Sequence, residues 1–518
     1  MIVRGNASLI QFVLIAWVPL TLLLFTVMRP RRAVLTSVIG AVLFLPSAQI
    51  DLPGLPGDLS RYSTAAIGCL LGVLLFDAKA LRRFQLRWFD WPVLGLILVC
   101  VPTSVFNGLG IYDGFSEAYG YLVLFGFPYF FGRIYFDHPA AHRDLALSIV
   151  IGALLYAPLS LWEIRMSPQL HYHVYGYYSI PFAMFARFTG FRPIVFMDSP
   201  LMLGMWMSSA CILAFWLGSG SKGFRLGKTP ILWAVPVLLL ALVFGKTVGA
   251  VVLFLAAAGL LLGSRFTGVK VGLLLFLVGV QSYPALRGLG MLERSTIVTA
   301  VTPVFPSARV ESLDFRLENE DRVIEKALIH PWFGWGGWDR NRTEETRAID
   351  GLWLSVFGKN GSVGLASLLG LFLVPVALFY RRFDAWEWQR PHIAPLAGLA
   401  VVIAVYWVDC LSNGFVNPVY MIVIGALNVS IGTARGRRAI AAVGAGDRAA
   451  SRPALLPAVD LDSPAAATLG TRPRSGSSEP FQTERVPWSG HSVPAGSGIA
   501  ASSRRISACR TLSIPYRE

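Results

Sequence analysis

The chain has 518 residues, of which 54% are hydrophobic and 14% charged, and it carries a formal net charge of +15. Soluble domains have about 25% charged residues; the deficit, spread over many apolar runs of near membrane length, excludes an ordinary soluble protein and indicates a polytopic membrane protein. The excess Lys and Arg lies mostly in short loops between those runs, where it is a topology signal and not a nucleic-acid footprint.

The first apolar run, Leu9 to Met28, is longer than a signal-peptide core and ends in Arg29-Pro30-Arg31-Arg32 without a small-residue cleavage site, so a retained first span is expected. Further runs lie at 33–50, 62–77, 91–107, 118–136, 145–162, 194–217, 229–245, 247–263, 268–281, 351–380, 393–410 and 415–432. They predict an all-α polytopic fold with about 12–13 transmembrane helices, each needing roughly 20 apolar residues to cross.

Basic clusters at Arg29–Arg32, Lys79–Arg87, Lys222–Lys228, Arg265–Lys270, Arg381–Arg390 and Arg435–Arg438 fall on alternate loops, which assigns those loops to the cytoplasm. The opposite face, expected to be periplasmic, receives 51–61, 107–117, 163–192, 281–350 and 412–418. The chain therefore divides into a transmembrane domain over 1–432, with a periplasmic loop over 282–350 between late spans, and a tail over 433–518. In the tail Ala, Pro, Ser, Gly and Arg replace large apolar residues, and a disordered cytoplasmic segment is expected.

Inside the 282–350 loop, Val310, Leu313, Leu317, Ile324 and Leu328 recur at roughly helical spacing, and Glu318 and Arg322 stand four apart, where they can pair. Pro331 ends that helix. An irregular Gly/Trp stretch comes next, carrying Trp332, Trp335 and Trp338. In 351–380 the polar Lys359-Asn360-Gly361 interrupts the apolar run, which predicts a broken helix lining a cavity.

The outer face gathers Arg187, Arg192, Lys246, Arg309, Arg316, Arg322, Arg340 and Arg342. Cations collected at a membrane face suit an anionic lipid headgroup such as a diphosphate, for which Arg offers a planar fork and Lys a point charge. Lys246 lies between two apolar runs, where it is either a ligand or a snorkelling side chain in a tight turn. Arg187 and Arg192 are either ligands or interfacial anchors. Asp350, at the start of a span, is a helix N-cap, a general base, or both. His330 can serve as an acid or base or simply cap a helix C-terminus. The three Trp either stack on sugar rings or anchor at the interface. His171 and His173 lack a carboxylate cluster to complete a metal site, and Cys69, Cys100, Cys211, Cys410 and Cys509 show neither CxxC nor zinc spacing.

These pieces together resemble the O-antigen ligase/polymerase family of bacterial membrane glycosyltransferases, over roughly 185–380. The resemblance rests on Arg187 to Gly190 before a span, Gly245-Lys246-Thr247-Val248-Gly249-Ala250 opening another, and the Arg-rich helix from Arg309 to Lys326. It continues in the turn of Pro331, Gly334 and Gly336 and in Gly361, Gly364 and Leu365. It implies a C-type glycosyltransferase-like fold in the bacterial inner membrane. The expected activity is metal-independent and cofactor-free transfer of a polyprenyl-diphosphate-linked glycan to a glycan or lipid acceptor. Arg187, Lys246, Arg309, Arg316 and Arg322 would hold the diphosphate, and Trp332, Trp335 and Trp338 the glycan. The family's Ser-Arg pair is here Gly245-Lys246, and its His-Asn before the span is Asp350-Gly351, which leaves Asp350 as the catalytic base. The competing expectations are a flippase or transporter of lipid-linked glycan, or a non-catalytic part of a polysaccharide assembly system.

Overall fold

The computed structural model describes residues 6–51, 57–187, 190–220, 223–303, 306–343 and 349–450, the side chains at 308, 309 and 446–450 excepted. Every apolar run in the sequence becomes helix. Yet among the described residues eight helices are long and apolar enough to cross a membrane, or nine if one bent pair forms a single span. By length and composition this is fewer than the expected 12–13, and the shortfall lies in helices too short to span the full hydrocarbon thickness. At about 1.5 Å per residue, a helix of 15 or 16 residues spans about 22–24 Å, against roughly 30 Å of hydrocarbon. Pro30–Phe44, Arg61–Phe76 and Pro418–Gly432 are of this kind, and Ile231–Phe244 is likewise short. The run at 118–136 lies in a continuous helix instead, Ile111–Tyr121 passing through a π-helical turn, Leu122–Gly126, into Phe127–Tyr135.

Helices Pro200–Gly218 and Ala394–Ser412 are buried along most of their length, while Ala7–Val27 and Val271–Gly288 are buried along little of theirs. The first pair forms the centre and the second pair the rim. Trp206, Trp216 and Trp407 lie fully inside, so the core is filled by bulky apolar side chains.

Helix Ser307–Ile329 forms where the spacing predicted it, and His330 is its C-cap. Its buried stripe is shifted from the expected one. Leu317, Val323, Ile324 and Ala327 are buried, whereas Leu328 is exposed. Glu320 lies within that stripe and accepts hydrogen bonds from the Tyr283 hydroxyl at 3.0 and 2.9 Å. Glu318 and Arg322 pair at 2.7 Å as expected. Asp314 takes a two-pronged ion pair from Arg294, and Asp321 pairs with Arg287 at 2.6 Å, so the helix is bound through its carboxylates to the segment before it.

Leu352–Arg382 is broken at Gly361, whose φ of 63° and ψ of −160° leave the helical region. That combination is accessible essentially to glycine alone. The Gly/Trp loop fills the break. Trp335 and Gly336 donate their backbone N–H groups to the carbonyls of Gly358 and Lys359 at 3.0 and 2.8 Å. In return, Ser362 and Val363 donate to the carbonyls of Pro331 and Trp332 at 2.7 and 3.3 Å. In an intact helix those two carbonyls and two N–H groups would pair with each other; here each is satisfied by the loop. The approach is so close that a β-carbon on Gly361 would collide with the Trp332 carbonyl.

The chain stays helical beyond 432. Pro418–Gly432 turns by 80° into a further helix that reaches Ala450, which corrects the expectation of disorder from 433 onward. Amphipathic periodicity hidden in an Ala/Arg-rich segment accounts for it: Ile440 is buried and Arg435, Arg437 and Arg438 are exposed. The rest of the expected tail, 451–518, lies outside the described residues.

Candidate functional site

The site is built on a two-stranded hairpin, Ala186–Arg187 paired with Gly190–Phe191. The segment leading from this hairpin to Asp198 is clamped from two sides. Glu163 accepts the backbone N–H groups of Leu170, Ile194 and Val195 at 3.1, 2.8 and 2.7 Å. Arg61, fully buried, donates to the Phe196 carbonyl at 2.7 Å and pairs with Asp198, which also accepts from the Tyr62 hydroxyl. Val195 is thereby held at a φ of 56°, a conformation unfavourable for a β-branched residue. The backbone around Arg192 is fixed before any ligand arrives.

Lys246 sits at a φ of 54° in the sharp turn between Ala234–Phe244 and Val248–Thr267. Its Nζ reaches the Arg187 carbonyl at 3.4 Å and lies against Gly190, where a β-carbon would stand 2.5 Å from it. The Arg192 guanidinium is held below its ordinary pKa, at about 10, first by burial and then by the charges of Arg187 and Arg316. It remains a cation at neutral pH, but a crowded one. Arg316 in turn stands 3.5 Å from Asp350.

Sequence positions from 187 to 350 are thus linked neighbour to neighbour: Lys246 to Arg187, Arg192 to Arg187 and Arg316, and Arg316 to the carboxylate of Asp350. Among the described residues no carboxylate lies within ion-pair distance of Arg187, Arg192 or Lys246. Asp350 is not the helix cap, because Gly351 occupies the N-cap position of Leu352–Arg382. Its side chain is directed to Arg316 instead. The remaining cations are engaged elsewhere. Arg322 pairs with Glu318, Arg340 with Asp113 at 2.9 Å and Arg342 with Asp339 at 3.1 Å. The side chain of Arg309 lies outside the described residues.

The three Trp separate by role. Trp335 is half-buried; its indole N–H donates to the Lys326 carbonyl at 2.7 Å, and its ring meets Lys326 and His330. Trp332 and Trp338 are 67% and 73% exposed. The Trp338 indole N–H is aimed by Asp113 at 2.7 Å. His330, weighed as an acid or base, is a helix cap packed on Trp335.

A cleft of about 380 Å³ opens beside this loop, lined by Tyr62, Glu117, Tyr119, Gly337, Trp338 and Lys359. Of the interruption at 359–361, Lys359 lines this cleft, while Asn360 is buried and accepts from the Tyr121 hydroxyl at 2.7 Å. Glu117 does not stand out in the sequence. One of its oxygens is buried without a hydrogen-bond partner among the described residues, and Gly337 lies so close that an added β-carbon would meet the carboxylate at 3.3 Å. A carboxylate one residue ahead of an apolar run was the available signal.

No group of His, Cys, Asp and Glu able to hold a metal occurs among the described residues. His171 is buried; its Nδ1–H donates to the Tyr177 carbonyl at 2.9 Å, which leaves Nε2 to accept from Ser47 at 3.2 Å. Burial pushes its pKa down to about 4, so it is a neutral packing residue. No family model matches the chain, and a search of curated proteins finds no match either.

Proposed function

We propose that this protein is a multi-pass bacterial inner-membrane glycosyltransferase, a ligase or polymerase of surface polysaccharide. It would transfer glycan from a polyprenyl diphosphate to an acceptor hydroxyl at the periplasmic face. The observation that carries this reading is the cluster of Arg187, Arg192, Lys246 and Arg316, with Asp350 beside Arg316. A surplus of fixed cations beside apolar helices fits a lipid-linked diphosphate, whose tail stays in the bilayer while its charge is held at the surface.

In this mechanism Asp350 accepts the proton of the acceptor hydroxyl. The hydroxyl oxygen attacks the anomeric carbon, the bond from that carbon to the diphosphate oxygen breaks, and the lipid diphosphate leaves. The cations stabilise the charge that grows on the leaving group, which is the main catalytic term. Arg316 orients Asp350. The cleft beside Trp338 receives sugar, with the exposed indoles of Trp332 and Trp338 as stacking faces and Trp335 as structural support.

The test compares lipid-linked intermediates in cells with the intact gene, without it, and with Lys246→Met or Asp350→Asn. Accumulated single repeats mark a polymerase, and accumulated full-length lipid-linked chains mark a ligase. Intermediates trapped on the cytoplasmic leaflet would replace this reading with that of a flippase. Unchanged intermediates in all strains would remove it.

A further inference from the structure

At the opposite end of the molecule a cavity of about 540 Å³ is lined by Arg82, Arg83, Arg87, Arg133, Arg435 and Arg438, with Asp137 as its carboxylate. The floor is internally satisfied. Arg133 is buried and binds both oxygens of Asp90 at 2.7 and 3.0 Å and the Gln85 carbonyl at 2.9 Å. Asp137 is taken by Arg435 at 2.7 Å. The remaining four guanidiniums, of Arg82, Arg83, Arg87 and Arg438, have no carboxylate within ion-pair distance among the described residues.

A topology signal requires positive charge in a loop; it does not require charges about 350 residues apart to meet in one concavity. The 80° bend after Gly432 brings them together. It is fixed by Arg437 donating to the Ile431 carbonyl at 3.1 Å and by Gly436 donating to the Thr433 hydroxyl at 3.1 Å. Beside the cavity Leu86, Trp88 and Trp91 are exposed, an aromatic pair of the kind that sits at headgroup level. Ile134 and Val429 also line the cavity but are themselves buried, so the apolar surface open to a ligand is that of Leu86, Trp88 and Trp91.

We propose that this cavity binds the phosphate headgroup of an anionic phospholipid from the leaflet at that end, the cytoplasmic one by the positive-inside rule. The guanidiniums take the phosphate oxygens and the acyl chains run along the exposed Leu86, Trp88 and Trp91. A free phosphate compound shares the headgroup chemistry but has no use for that apolar surface.

The experiment uses the full chain purified in detergent. Phosphatidylglycerol, phosphatidylcholine or glycerol phosphate is titrated in, and retained lipid is read by native mass spectrometry. The variants are Arg83→Gln/Arg438→Gln and, as a charge-matched control at the same end, Lys228→Gln/Arg382→Gln. The wild-type and control proteins are expected to retain phosphatidylglycerol over phosphatidylcholine. Removal of two headgroup cations is expected to weaken retention about 30-fold. Equal loss in both double variants would show diffuse surface charge and overturn the site. Glycerol phosphate displacing the lipid at equal concentration would overturn the lipid assignment in favour of a soluble phosphate compound. Should the double variant fail to fold, Arg438→Gln alone, on the exposed side of its helix, gives the same comparison with a smaller expected loss.

Discussion

Asp350 and Arg316 form the most informative pair of side chains in the molecule, because they join the amphipathic helix to the start of the broken helix at the point where the cations gather. If Asp350 takes the acceptor proton, Asp350→Asn should lower transfer by about 10²- to 10⁴-fold at unchanged protein level, since general-base catalysis contributes that much. Arg316→Gln should lower it less and raise the donor concentration needed. The two are separable by assaying purified protein with lipid-linked donor; equal and small effects would deny Asp350 its role. Glu320 supplies a pH test. Burial raises its pKa to about 7, against the pull of Arg287 and the Tyr283 hydroxyl, from an ordinary value of 4.5. The folded state therefore holds a proton that the unfolded state has lost, and stability from this group is present below pH 4.5 and lost as pH rises toward 7. Glu320→Gln should flatten that slope, as read by thermal unfolding in detergent from pH 4.5 to 8; identical slopes in the two proteins would refute the assignment.

At the scale of elements, the break in Leu352–Arg382 and the loop that fills it behave as one unit. Gly361→Ala should destabilise by about 2 kcal/mol or more, from backbone strain alone, before the collision with the Trp332 carbonyl is counted. Trp335→Pro should cost about 1–3 kcal/mol by leaving the Gly358 carbonyl without its donor. Both are measurable as a lower unfolding temperature or reduced folded yield; a Gly361→Ala protein as stable as wild type would mean that the loop is not seated there. The break itself was legible in the sequence, because a Lys-Asn-Gly triplet inside an apolar run contradicts a continuous span. Its filling by a loop some 25 residues earlier in the chain was not, since backbone hydrogen bonds leave no trace in side-chain pattern. The same limit applies to the amphipathic helix. Spacing located it, but a buried Glu320 within the apolar stripe makes sense only once Tyr283 and Arg287 are seen opposite.

For the whole molecule, the all-α membrane architecture was plain from composition and the apolar runs, and the span count was not. Runs are recognised by hydropathy, and only their fixed ends show that Pro30–Phe44 and Arg61–Phe76 are shorter than the other helices. The candidate site was half legible. Arg187, Lys246 and Asp350 were marked by charge beside apolar runs and Arg316 by the amphipathic helix, and the structure links them through Arg192, while Arg322 is taken by a neighbour and Glu117 was invisible. Sidedness is testable directly. With Cys69, Cys100, Cys211 and Cys410 buried and Cys509 replaced by Ser, Trp338→Cys should react with a membrane-impermeant maleimide on spheroplasts. Arg87→Cys should react only after the membrane is opened. The reverse pattern would invert the molecule.

The exchange of backbone partners at the break also constrains how the protein is made. Residues 331–336 leave the ribosome before 358–363, so the loop exists before the helix that it breaks is complete. Without the loop, the Gly358 and Lys359 carbonyls and the Ser362 and Val363 N–H groups would be left to pair with one another in a continuous helix, so the break depends on the loop reaching it. The same sequence therefore has two ways to satisfy these groups, a straight helix without the loop and a broken one with it, and Gly361 is the residue that lets the chain take the second.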